Sequence, residues 1–127
     1  MKKVLVVDDS KAVQRLVSKC IESIGSEVVG YADDGEDGFE KFKSLHPDLV
    51  LLDITMPNKD GRECLKDILA HNADARVVML SALNSQEVIQ DCLQMGAVAF
   101  LNKPSLSERS ELENELRRIL DSSKKVG

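Results

Sequence analysis

A doubly wound α/β fold of the (βα)5 type, built on a parallel five-stranded sheet, is the fold class this sequence predicts, and three observations predict it. Short, nearly continuous apolar runs recur at Val4 to Val7, Val28 to Tyr31, Leu49 to Leu52, Val77 to Leu80 and Val98 to Leu101, as strands buried on both faces of a parallel sheet require. Between and after these runs, apolar residues return at helical spacing. The chain has 127 residues, 43% hydrophobic and 31% charged, which suits one globular domain with its own core and excludes a disordered or fibrous chain.

Each element follows in order. After the first strand, Val13, Leu16, Val17, Cys20, Ile21 and Ile24 mark the inner stripe of a helix that Ser10 can cap and Gly25 can end. Phe39 and Phe42 carry the second helix, and Pro47 precedes the third strand. Leu65, Ile68 and Leu69 carry the third helix, and Val88, Ile89, Cys92 and Leu93 the fourth, with Gly96 after it. Leu112, Leu116, Ile119 and Leu120 close the series. Right-handed crossovers turn this alternation into a doubly wound sheet with ligands at the C-terminal strand edge, and the flavodoxin-like class, strand order 2-1-3-4-5, is the expected arrangement. The domain is expected over 1–122, with 123–127 a frayed tail or the start of a linker.

A net charge of −5 supplies no basic field of the kind nucleic acid or an anionic membrane selects. The run Val4 to Val7 is too short for a signal peptide and Leu49 to Leu52 far too short to span a membrane. A cytoplasmic chain is expected. Cys20, Cys64 and Cys92 form no CxxC spacing and sit among apolar residues at helical period, so buried free thiols are expected in place of disulfides or a zinc site.

The strand-edge rule singles out a few polar residues. Asp8 and Asp9 follow the first strand, Asp53 ends the third, Ser81 ends the fourth and Lys103 follows the fifth, so all five converge on one edge. Three carboxylates placed together repel one another, and a divalent cation with oxygen ligands, Mg²⁺, is the simplest neutraliser. Asp53, at the sheet centre, can then act as a nucleophile toward phosphorus, or merely cap a helix. Lys103 can pair with Asp53 at rest and with a phosphoryl oxygen afterwards, or lie solvated on the surface. Pro104 restricts it to extended backbone, and a cis Lys103-Pro104 bond would re-aim it toward the acids. Ser81 can donate to a phosphoryl oxygen or cap the next helix.

The set Asp8-Asp9, Asp53-Ile-Thr-Met-Pro57-x-x-x-Gly61, Ser81-Ala82 and Lys103-Pro104 resembles the receiver domain of two-component response regulators, the class that includes the single-domain chemotaxis regulator. The resemblance implies a signalling switch that catalyses only its own phosphorylation and dephosphorylation. It implies that Asp53 accepts a phosphoryl group from a histidine kinase or phosphotransfer protein. Asp9, Asp53 and the Thr55 carbonyl would hold Mg²⁺, with Asp8 orienting its waters; Lys103 would pair with the phosphate, Ser81 would report it, and Phe100 matches the switch aromatic. An output protein would bind the face formed by the fourth helix, fifth strand and fifth helix. Ser81 stands where threonine is frequent in the family, and Phe100, which has no hydroxyl, where tyrosine is also frequent. By the same resemblance Thr55 and Leu83, two residues past Asp53 and Ser81, would flank the route of attacking water; Leu83 is apolar and could only obstruct it, so slow loss of the phosphoryl group is expected.

A second reading is an aspartyl-phosphate phosphatase of the haloacid-dehalogenase type, whose opening motif Asp53-x-Thr55 superficially fits. Thr55 replaces its usual second aspartate, no cap insertion is present, and Asp8-Asp9 precede the nucleophile. A flavin-binding module of the same topology would need a phosphate loop where this chain has acids.

Overall fold

The computed structural model describes residues 2–54, 56, 59–81, 86–102 and 109–121. Their elements alternate as β1 (Lys3–Val7), α1 (Lys11–Ser23), β2 (Glu27–Ala32), α2 (Gly35–Leu45), β3 (Leu49–Asp53), α3 (Gly61–His71), β4 (Val77–Ser81), α4 (Gln86–Met95), β5 (Ala99–Asn102) and α5 (Arg109–Asp121). All neighbouring strand pairs run parallel, and the sheet order is β2-β1-β3-β4-β5, as the sequence predicts.

Side-chain alternation splits the strands between two cores. Val4, Val6, Leu49, Leu51, Val78 and Leu80 pack with Leu16, Val17, Cys20 and Ile21 of α1 and Leu112, Leu116 and Leu120 of α5. Leu5, Val7, Val50, Leu52, Val77 and Met79 pack with Phe42 of α2, Cys64, Leu65 and Ile68 of α3, and Cys92 of α4. Residue β3 Asp53 therefore ends the central strand of a sheet covered on both faces.

Burial on both faces holds for β1, β3 and β4 beyond Lys3 but not for the outer strands. Tyr31 of β2 is exposed, and Ala99, Phe100 and Leu101 of β5 are only half-buried, because an edge strand has a neighbour on one side alone. The edge at β2 is interrupted by a register shift opposite Val4 and Leu5, and the Lys41 ammonium donates to the Tyr31 carbonyl. On α4 the inward stripe is narrow. Cys92 is buried, Val88 and Ile89 are partly covered, and Leu93 faces solvent, contrary to its expected place in the core, since α4 lies over the outer strand where there is little sheet to cover.

The expected punctuation is present. The Ser10 hydroxyl accepts from the Val13 N–H at the start of α1, and Gly25 and Gly96 both take positive φ after α1 and α4. Cys20, Cys64 and Cys92 are buried free thiols. Burial pushes the Cys64 thiol up from 9.0 to about 12, because the thiolate would lose its water. Between those values the native state keeps a proton that the unfolded chain has released, so rising pH favours unfolding. Urea unfolding at about pH 8 and about pH 10 should show a loss of stability that is smaller in Cys64→Ala. An equal loss in both proteins would place the pH dependence elsewhere.

Candidate functional site

The C-terminal edge of the sheet gathers the acids that the sequence places there. One carboxylate oxygen each from Asp8, Asp9 and Asp53 lies within 4.8 Å of the others; Asp8 and Asp53 are buried and Asp9 is exposed. Asp8 is tied down on three sides. Its N–H donates to the Ala32 carbonyl of β2 at 2.9 Å, its carboxylate accepts from the Ser10 N–H at 2.8 Å, and its carbonyl accepts from the Gln14 side chain at 2.6 Å. Asp53 is carried by the middle strand, and the chain leaving it is held by the Ile54 N–H on the Leu80 carbonyl at 3.2 Å and the Gly61 N–H on the Ile54 carbonyl at 2.8 Å.

That return is possible only because residue 61 has no side chain. A Cβ there would stand 2.1 Å from the Asp53 carbonyl oxygen and 2.7 Å from the Ile54 Cα. The same stretch is braced from outside: the Lys59 carbonyl accepts from the Gly35 N–H at 2.9 Å, and the Lys59 ammonium pairs with Asp67. Asp60 caps α3 by accepting from the Glu63 N–H at 3.0 Å.

Ser81 ends β4 and is buried, on the strand next to the one that carries Asp53. Phe100 lies opposite Met79 on β5, half-buried against the α2–α4 core. Thr55, Leu83 and Lys103, with the Lys103-Pro104 bond, lie outside the described residues, as do 122–127. Gln14, buried on the inner face of α1 with its amide donating to the Asp8 carbonyl, is a residue that the sequence reading passed over.

The donor set suits a hard cation: all three groups are carboxylates, whose oxygens within 4.8 Å of one another could hold a metal ion of the oxygen-preferring kind such as Mg²⁺. Asp9 faces solvent, leaving room for the waters Mg²⁺ retains.

Comparison with known proteins agrees with this geometry. Residues 4–117 match the family profile of the response regulator receiver domain. The chemotaxis protein CheY of Bacillus subtilis is 39% identical over 107 residues, 84% of this chain and 89% of that protein. CheY of Treponema pallidum is 43% identical over 113 residues, 87% of this chain and 78% of that protein. Among solved structures, a chain of the CheX-CheY-BeF3-Mg+2 complex from Borrelia burgdorferi superposes with a TM-score of 0.87 at 36% identity, covering 98% of this chain and 90% of its own. The haloacid-dehalogenase alternative gains no support from any of these. Among the described residues no helix is long and apolar enough to cross a membrane.

Proposed function

The chain belongs to the response regulator receiver family, of the CheY type, and we propose that Asp53 is its phosphoryl acceptor in a phosphorylation-activated signalling switch. The observation that carries this reading is the meeting of Asp8, Asp9 and Asp53 at the end of the central strand. An Asp53 carboxylate oxygen forms the new bond to phosphorus as the N–P bond of a phosphohistidine breaks, and the electron pair leaves on the imidazole nitrogen. Asp9, Asp53 and the Thr55 carbonyl would hold Mg²⁺, with Asp8 orienting the waters it keeps. When bound, the cation offsets the repulsion between the carboxylate and the incoming phosphate. The chain acts on its own phosphoryl group only.

Ser81 and Lys103 then donate to the new phosphoryl oxygens. Charge-assisted bonds contribute about 1.5–3 kcal/mol each, and two of them approach the roughly 5.5 kcal/mol that moves an equilibrium from about 1:99 to 99:1. Phe100 turns inward in the phosphorylated state. The output partner is a protein docked on α4, β5 and α5. Leu93 and Val98 support that choice of face, with 40% and 37% of their surface exposed at the end of α4 and just before β5. Leu83, in place of a residue able to position water, makes the phosphorylated state long-lived. Residues 1–122 form the receiver unit, and it works in the cytoplasm.

Intact-mass spectrometry after incubation with acetyl phosphate tests the acceptor. One phosphoryl adduct is expected with Mg²⁺ and none with a chelator, and peptide mapping after borohydride reduction should place it on Asp53. An adduct that forms equally well without Mg²⁺, or on another residue, overturns the assignment.

A further inference from the structure

We infer that Gln14 is a positioning residue for the metal site, held by Asp33 so that its amide fixes the peptide plane between Asp8 and Asp9. The inference rests on the Mg²⁺ reading of the three acids. Gln14 is 6% exposed and lies on the apolar face of α1 beside Leu16, Val17, Cys20 and Ile21. A buried amide costs stability unless its hydrogen bonds are made, and a residue kept there for packing alone would be apolar. The Nε2 group donates to the Asp8 carbonyl at 2.6 Å and to Asp33 Oδ1 at 3.0 Å. Both partners are acceptors, so the nitrogen end of the amide must face them.

The Asp8 carbonyl belongs to the rigid peptide unit that ends at the Asp9 Cα. Fixing it orients both neighbouring side chains: the buried Asp8 carboxylate on one side and the exposed Asp9 carboxylate, which has left the sheet, on the other. Asp33, in the turn between β2 and α2, is in turn held by the Lys11 ammonium at 3.0 Å, and the hydrogen bonds from Lys11 and then Gln14 hold its carboxyl below the usual carboxylate range. The strut thus runs from the start of α1, through the β2–α2 turn, to the backbone under the acids. Outer partners that orient metal ligands typically contribute about 10–100-fold in affinity.

The test is titration of the folded chain with Mg²⁺ alone, followed by the Asp9 amide in NMR, together with the Mg²⁺ dependence of labelling by acetyl phosphate. Gln14→Met keeps length and removes both donors. It is expected to raise the Mg²⁺ half-saturation about tenfold or more while leaving the labelling rate at saturating Mg²⁺ nearly unchanged. Gln14→Arg, which donates to both oxygens, should stay within about threefold of the parent. A purely structural role would lower the saturating rate and the stability without moving the midpoint. If Gln14→Met binds Mg²⁺ within about twofold of the parent, or if Gln14→Arg is as weak as Gln14→Met, the inference is wrong. Should Gln14→Met not fold, Asp33→Ala decides at an exposed position: about threefold weaker binding supports the strut and unchanged binding overturns it. A parent chain that binds no Mg²⁺ would instead overturn the metal reading itself, and the strut with it.

Discussion

Gly61→Ala is expected to cost about 3 kcal/mol or more of stability, at the top of the usual range for overpacking, and to slow labelling of Asp53 by about a hundredfold. The new Cβ would stand 2.1 Å from the Asp53 carbonyl oxygen, 2.7 Å from the Ile54 Cα and 2.9 Å from the Asp53 carbonyl carbon. All three atoms are backbone, so no rotamer change relieves the clash. Relief requires the end of β3 or the start of α3 to move by about 1 Å, and a displacement of that size at a reacting group is what a hundredfold rate loss reflects. The Gly61 N–H bond to the Ile54 carbonyl at 2.8 Å would be strained by the same shift. Gly25→Ala is the control: nothing lies within 4 Å of a Cβ there, and only the positive φ of 83° opposes the side chain, a cost of about 1–2 kcal/mol with no effect on labelling. Urea unfolding and the labelling rate measure both variants. A Gly61→Ala protein as stable as the parent and labelled at its rate would show that the two segments are not locked together.

The contrast between these glycines bears on what could be read in advance. Gly25 announces itself as a helix stop by local pattern, whereas the need for glycine at 61 arises from a contact between β3 and the start of α3 that no local periodicity encodes. Only its place in the Asp53 to Gly61 motif marked it. The strands were legible because parallel sheets impose long apolar runs, and their C-terminal ends carried Asp8, Asp9, Asp53 and Ser81 to one edge as a consequence of topology. What apolarity could not distinguish was centre from edge. Val28 and Leu101 are as hydrophobic as Val50 or Leu80, yet the former lie on outer strands and stay partly open. Leu93 was assigned inward for the same reason: spacing identifies a stripe but not how much sheet lies beneath it. Gln14 was missed because a single amide on an apolar face has no periodic signal, and its partners, Asp8 and Asp33, come from two separate turns.

Asp53→Asn should abolish labelling by acetyl phosphate and at the same time make the metal-free protein more stable. Two other carboxylates have an oxygen within 4.8 Å of an Asp53 oxygen. At an effective dielectric near 20 each such pair opposes folding by roughly 3 kcal/mol before screening, and the exposure of Asp9 and the resting pair expected with Lys103 both reduce this, so a gain of about 1 kcal/mol is expected in a chelator. Added Mg²⁺ should reverse the order. A ligand at a hundred times its dissociation constant stabilises the native state by about 2.7 kcal/mol, a gain open to the parent and largely closed to Asp53→Asn, which lacks one carboxylate ligand. The two unfolding midpoints, recorded across a Mg²⁺ titration, should therefore approach and cross. Equal stabilisation of both proteins by Mg²⁺ would mean that Asp53 is not a ligand. A large loss of stability in the chelator would mean that its charge supports the fold. The crossing, with labelling lost, would identify an acid that opposes folding until a cation joins it and whose oxygen accepts the phosphoryl group.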